Sequence, residues 1–504
     1  MGSDVERAAV DTMPAVTANP GRSRSRQLPL SIPPAQRDLF RRLLDADHML
    51  AVFRRELPPI AQREIRVTSC SIKPGRSEKP FRKGQLELVY RLGIEVGSEP
   101  PREYILLGVS PVGAGFPGRE VLERARILRD HPAVSPFVQL AVHVQYLQLG
   151  LLLYPMDPAL PGLAAITGSG GAQLLASFLP ECRRGAKIER IECELKHYKP
   201  FNRAVLRVLA LLSSPAAQRA VYVKAFYNDR GATSHRELAA LWSVAQRSAF
   251  LRVPEPLGYD PDQRLLVMSE ATGERHLNGW IRCIKKGQPL PAGVSLERVE
   301  RCVVSAAKAL GELQGSGLCP DERYTYEDEL AHLKRDRGLL DQDVQEQFPE
   351  LLACFDALLR RLEALAPVNE PLVPSHGEFR HQQLVGDEDL LTFIDWDSFC
   401  FANPALDAAR WLARLVRDSL GAHAGTPGME WLAMTFRREF LAPRPEIAAH
   451  LALYEGLHLT KQLLGAFGHA SRGEDKLEHI RLLAAAADSQ LERVEELSRP
   501  ISRR

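Results

Sequence analysis

The reading turns on residues 374–412, PSHGEFRHQQLVGDEDLLTFIDWDSFCFANPALDAARWL. Two short strand-like runs, HQQLV and LLTFIDW, are joined by a GDED turn and bordered by polar, irregular chain. Long amphipathic patterns flank the stretch: LERVERCVVSAAKALGELQ (296–314), EDELAHLKRDRGLLDQDVQEQF (327–348) and ELLACFDALLRRLEAL (350–365) before it, IAAHLALYEGLHLTKQLLGAFGH (447–469) and LEHIRLLAAAADSQLERVEEL (477–497) after it. Apolar residues in these runs recur at helical spacing, so the spacing predicts a helical scaffold carrying a polar loop. Loop-borne polar side chains on a rigid frame are where chemistry is usually placed.

Upstream the period changes. IERIECELKHYKP (188–200), RAVLRVLALL (203–212) and RAVYVKAFY (219–227) alternate as strands. A helical run, SHRELAALWSVAQRSA (234–249), and another apolar strand, RLLVMSE (264–270), follow. A similar succession precedes it: a helical pattern over 35–57, strand-like runs CSIKPGR, QLELVYRLGIEV and EYILLGVS, then the helix GREVLERARILRD (118–130). Laid side by side, Cys70 falls against Cys193, Lys73-Pro74 against Lys199-Pro200, Tyr104 against Tyr222, and LLLYPMDP (151–158) against LLVMSEAT (265–272). That is the pattern of a duplicated β-rich module. The alternative is chance likeness between two small meanders.

The bulk properties narrow the function classes. At 504 residues the chain is long enough for two or three domains. With 65 basic against 63 acidic residues, no charge excess argues for a nucleic-acid or anionic-membrane partner. Eight scattered cysteines, none in a CxxC pair, read as thiols in a reducing compartment. No apolar run suits a signal peptide or a membrane span, so the expected location is the cytoplasm. The expected organisation is a disordered tail (1–30), a first α+β module (31–170), a second (171–282) and a helical region (283–504).

HGEFRHQQLV followed by FIDWD resembles the signature of the aminoglycoside/choline phosphotransferase family, HGDxxxxN and then IDW/F[DE]. The matching positions are His376, Gly377, Glu378, Gln383, Asp395, Trp396 and Asp397, followed by Asn403 to Asp407. The resemblance covers roughly residues 176–430. It implies an α+β, bilobal protein-kinase-like phosphotransferase fold, here with an extra N-terminal N-lobe-like α+β module. It also implies ATP and Mg2+ as cofactors and a small-molecule hydroxyl acceptor. Glu378 becomes the catalytic base, Arg380 a catalytic charge-neutralising group, and Gln383 and Asp395 the metal ligands. Lys224, a charge inside an apolar strand, becomes the phosphate anchor, with Glu237 its ion-pair partner, and Met268 to Glu270 the segment that meets the adenine. Asp407 becomes a brace for the loop. Maltokinase-like members suggest a sugar or amino-sugar, and other members amino-alcohols.

Several readings stay open at this level. Ser234 and Glu237 also fit an S-x-x-E capping box. The turn at 199–203 has no glycine, so it cannot be a protein-kinase phosphate cradle. Glu378 and Gln383 each stand one methylene longer than the family's Asp and Asn, which suits either a compensated, wider site or a retired one. The alternative function is therefore a pseudokinase, binding nucleotide or a protein. In the first module Leu106 stands where Lys224 stands in the second, and no second HGE/IDW segment follows. That module is expected to serve packing, homodimer formation or substrate closure.

Overall fold

The computed structural model describes residues 36–498, apart from 75–80, 83–84, 214–215, 272, 274–275, 339–345, 347, 387–390, 421–428 and 468–473. The expected tail and most of the GDED turn lie outside the described residues. The chain divides into two compact units, residues 1–171 with 199–202, and residues 172–198 with 203–504.

The first unit opens with helices α1 (Arg37–Leu44) and α2 (Ala46–Glu56), the second capped by the Asp45 carboxylate, which accepts from the Asp47 and His48 N–H groups. Strands β1 (Ile65–Pro74), β2 (Phe81–Arg82), β3 (Gln85–Val96) and β4 (Arg102–Ser110) come next, then α3 (Arg119–Ile127), β5 (Ala141–Val144), β6 (Leu149–Leu153) and α4 (Pro161–Thr167). The sheet order is β1-β3-β4-β6-β5, with β2 pairing to β3. Alternation along β3 buries Leu86, Leu88, Tyr90, Leu92 and Ile94 on one face.

The second unit begins with short helices α5 (Gly171–Ala176) and α6 (Pro180–Arg183). It continues with β7 (Ile188–Lys199), β8 (Arg203–Ser213), β9 (Ala216–Phe226), α7 (Arg230–Ala245), β10 (Pro256–Asp260) and β11 (Leu265–Ser269). Its sheet order is β7-β8-β9-β11-β10. With β2 set aside, both sheets are three strands, a helix and two strands, paired in the same order, which is the arrangement the sequence repeat describes.

The two sheets use one face differently. Leu106, the match to Lys224, lies opposite Tyr90, whose ring meets Phe53 edge-on at 5.0 Å and whose hydroxyl donates to the Leu43 carbonyl at 3.1 Å. Apolar packing fills this face, so the first sheet has no place for a charged anchor. In the second sheet Val205 lies opposite Lys224, and that face opens on a cavity.

The helical part holds α8 (His276–Lys285), α9 (Leu296–Gln314), β12 (Arg323–Tyr324), α10 (Tyr326–Gly338), α11 (Pro349–Ala364), β13 (Val373–Ser375), β14 (Leu384–Val385), β15 (Thr392–Phe393) and β16 (Cys400–Ala402). It ends with α12 (Ala405–Leu420), α13 (Met429–Leu441), α14 (Ala448–Phe467) and α15 (Glu474–Ser498). The two strand-like runs of the decisive stretch are shorter than their hydrophobicity suggests. His381–Gln383 forms a 3-10 turn and only Leu384–Val385 pairs with Thr392–Phe393. Within this turn the side chains of His381 and Gln383 are buried. All eight cysteines are free thiols. Among the described residues no helix is long and apolar enough to cross a membrane.

Candidate active site

Strand alternation builds one wall of the site. On β8, Ala204, Leu206 and Val208 are buried against the interior, so Arg203, Val205 and Arg207 face the other way. On β9 the same alternation buries Val221, Val223 and Ala225 and turns Tyr222 and Lys224 to the Arg203 side. Tyr222 pairs in register with Met268 of β11. These residues line a cavity of about 830 Å³ whose opposite wall includes Gln383, Ile394 and Asp395.

Lys224 is buried, and its ammonium bridges two carboxylates: Asp395 Oδ1 at 3.0 Å and Asp397 Oδ1 at 2.9 Å. Burial alone lowers its pKa, but Asp397 and Asp395 outweigh that and hold it above the ordinary lysine value. Burial likewise pushes Asp395 up, and Lys224 and Arg203 overcome it, holding the carboxyl far below the usual range. Arg203 pairs with Asp397 and stands 3.8 Å from Asp395. Asp395 has φ +69°, a left-handed conformation that Asp tolerates better than most residues.

The loop that carries Glu378 is fixed from beneath. Asp407, fully buried in the first turn of α12, accepts from the N–H groups of His376 (2.6 Å), Gly377 (3.3 Å) and Phe379 (3.3 Å). Gly377 has φ +81°, and a Cβ there would collide with the Ser398 carbonyl, so glycine is required twice over. His376 is buried; its Nε2 lies 3.1 Å from the Ile394 carbonyl oxygen while its Nδ1 accepts from the Glu378 N–H at 3.4 Å. That pairing places the proton on Nε2, and burial lowers the ring's pKa, so His376 is a neutral spacer. Phe379 stacks on Trp411 at 5.0 Å, anchoring the loop to α12.

The predicted site residues are distributed as follows. Lys224, Met268, Glu270, Arg380, Gln383 and Asp395 all line the cavity. Glu378 is half-exposed and pairs with Arg380 at 2.9 Å. Glu270 forms a forked pair with Arg207 at 2.6 and 3.2 Å, so its carboxylate belongs to a sheet ion pair. Gln383 is buried, with its amide nitrogen 3.4 Å from Asp395 Oδ2 as placed. Turning the amide over gives the nitrogen the Glu378 carbonyl and the oxygen Arg380 Nη2 at 3.0 Å. It also brings the oxygen round to the Asp395 side, where two facing oxygens suit a shared cation.

Glu237 is the correction. Lys224 takes its partners from Asp395 and Asp397, whereas Glu237 faces Asp321 and Glu322, and its Oε1 is buried with no hydrogen-bond partner among the described residues. Burial and those two acids push its pKa up to about 7. The capping-box reading fails as well, because α7 starts at Arg230 and Ser234 lies a turn inside it. Asp397 is the residue the sequence left without a role. Its position two residues past Asp395 was the available signal.

A strand-borne lysine held against a carboxylate pair, facing a loop braced by a buried aspartate, defines a kinase-like phosphotransferase fold. Residues 203–449 match the phosphotransferase enzyme family. Among solved structures, a choline/ethanolamine kinase family protein from Mesorhizobium loti is 14% identical, with a TM-score of 0.38, covering 66% of this chain and 94% of that one. A choline kinase from Streptococcus pneumoniae is 13% identical, with a TM-score of 0.36, covering 63% and 97%. A glucosamine kinase in complex with glucosamine, ADP and inorganic phosphate is 15% identical, with a TM-score of 0.41, covering 67% and 88%. No curated protein matches the chain.

Proposed function

We propose that this chain transfers the terminal phosphoryl group of ATP to a hydroxyl of a small molecule. The observation that carries the reading is Lys224: a buried ammonium facing a cavity, held by the two carboxylates of the IDWD segment. Phosphoryl transfer asks the protein mainly for positioning and for charge neutralisation at the phosphates. Lys224 and Arg203 supply cations to the phosphates. Met268 and the backbone beside it supply the apolar edge for the base.

The donor set fits magnesium. Asp395, Asp397 and the Gln383 amide are hard oxygen donors, and magnesium is usually held by one or two carboxylates plus substrate phosphates. Consistent with that sparse set, the described residues contain no group of three or more His, Cys, Asp or Glu that could hold a metal by itself. When bound, the ion neutralises charge on the phosphates. Glu378 orients or accepts the proton of the attacking hydroxyl, with the Arg380 guanidinium 2.9 Å from it.

The test is Glu378→Gln under saturating magnesium and ATP. Loss of about 10²–10⁴ in kcat with unchanged nucleotide affinity supports the base role. Equal turnover in the variant removes it. A second reading, a nucleotide-binding module without turnover, draws on one observation: the Glu378 carboxylate is half-exposed and engaged by Arg380. In that reading nucleotide binds and no acceptor is consumed.

A further inference from the structure

Five of the cations around the cavity have acidic partners: Lys196 has Glu194, Lys224 has Asp395 and Asp397, Arg203 has Asp397, Arg207 has Glu270, and Arg380 has Glu378. Arg414 does not. It lines the cavity from α12, two turns beyond the bracing Asp407, and among the described residues it has neither an ion pair nor a hydrogen bond. Its Nε is buried without a partner. Asp418, one turn further along the helix, is held by Lys285 at 2.8 Å and Arg417 at 2.8 Å. Burial and the like charges of Arg417 and Arg380 lower the pKa of the Arg414 guanidinium, and the Asp418 carboxylate offsets only part of that. A cation kept in such surroundings raises the energy of the empty site, and an incoming anion relieves it. Gln382 adds a second unmet group in the same wall: its Oε1 is buried, faces no donor and accepts a hydroxyl readily.

We propose that the acceptor is a small hydroxyl compound bearing a carboxylate or phosphate, received by Arg414 through that anion and by Gln382 Oε1 through a hydroxyl. This rests on the phosphoryl-transfer reading and names its substrate class. A planar guanidinium matches the two oxygens of either anion with parallel hydrogen bonds. Its neighbours Arg380 and Arg417 add to the positive field, so an amino-alcohol or amino-sugar meets repulsion at the same wall. The amino-bearing acceptors expected from the resemblance are therefore the disfavoured ones.

The experiment measures ADP release by the full chain with magnesium and ATP against matched sets: glycerate and glycerol 3-phosphate beside glycerol and aminopropanediol, gluconate and glucose 6-phosphate beside glucose and glucosamine. The anionic members are expected to lead in kcat/KM by at least about tenfold, a difference of one charged hydrogen bond. Which anion leads separates carboxylate from phosphate. Arg414→Gln is expected to raise the KM for that acceptor by about tenfold or more while leaving the KM for ATP within about twofold, and Arg414→Lys to recover part of the loss. Preference for a neutral or amino member overturns the proposal, as does an Arg414→Gln effect confined to ATP.

If no compound is turned over, labelled orthophosphate is the probe, in equilibrium dialysis with and without ADP. Retention by the wild type that is lost in Arg414→Gln but kept in Lys224→Met supports the anion site even where the phosphotransferase reading has failed. No retention, or loss only in Lys224→Met, overturns it. Thermal unfolding of each variant shows whether it is folded.

Discussion

Asp407 is the most demanding test of how the loop is built. Its carboxylate is fully buried and accepts from three backbone N–H groups, those of His376, Gly377 and Phe379. Asp407→Ala leaves all three donors unmet in the interior. At about 1–3 kcal/mol for each stranded group, and allowing for the two longer bonds, the loss is about 4 kcal/mol. Asp407→Asn retains one acceptor oxygen and turns an NH2 towards a remaining N–H, so about half that loss is expected. The same displacement moves Glu378 and Gln383, and a shift of about 1 Å at reacting groups costs about a hundredfold in rate. All five tryptophans lie between residues 242 and 431, so tryptophan fluorescence during urea unfolding reports the second unit alone. The expected order of midpoints is wild type, Asn, Ala. Midpoints for both variants within about 0.5 kcal/mol of wild type would refute the argument that Asp407 holds the loop.

Two further predictions concern charge. Glu237 has a folded pKa pushed up to about 7, above its unfolded value of about 4.3, so the native state holds its proton more tightly and loses stability as pH rises between those values. After discounting for solvent screening, Glu237→Gln stabilises by about 1 kcal/mol at pH 8, and the gain shrinks as pH falls below 7. Thermal unfolding across that range checks the sign. Glu329 is the opposite case: buried, paired with Arg410 and with Lys461 at 3.0 Å, its carboxyl is held well below the ordinary range because those cations outweigh burial. Glu329→Gln strands both cations and costs about 3–5 kcal/mol at pH 7. The difference from wild type disappears as pH falls through the wild-type carboxyl's depressed folded pKa, and urea midpoints at neutral and acid pH measure it.

How far the sequence could be read depends on whether a residue's role is local. Lys224 was visible because a charge in an apolar strand needs a partner, and the turn chemistry of HGEFR pointed to a loop. The bracing role of Asp407 came from the family resemblance, since a helix-start acid by itself suggests only a favourable helix dipole. The partner of Lys224 was not, because it comes from 171 and 173 residues away, through a fold that brings β9 to the IDWD segment. Glu237 was drawn to Lys224 by proximity in sequence, but α7 starts earlier than its cap pattern suggests and turns that side chain to Asp321 and Glu322. HQQLV looked like a strand because its apolar content matched, and the 3-10 turn that buries His381 and Gln383 leaves no local signature. Arg414 was invisible for a different reason. A helix pattern shows its face, and whether a cation on that face has a partner depends on neighbours the pattern does not name.

The most direct test of the central claim is calorimetric titration of ATP with and without magnesium, comparing the wild type with Asp395→Ala. The account predicts that magnesium strengthens binding to the wild type and that Asp395→Ala abolishes this gain, weakening magnesium-ATP binding by about tenfold or more. No nucleotide binding by the wild type, or equal magnesium dependence in the variant, would contradict it.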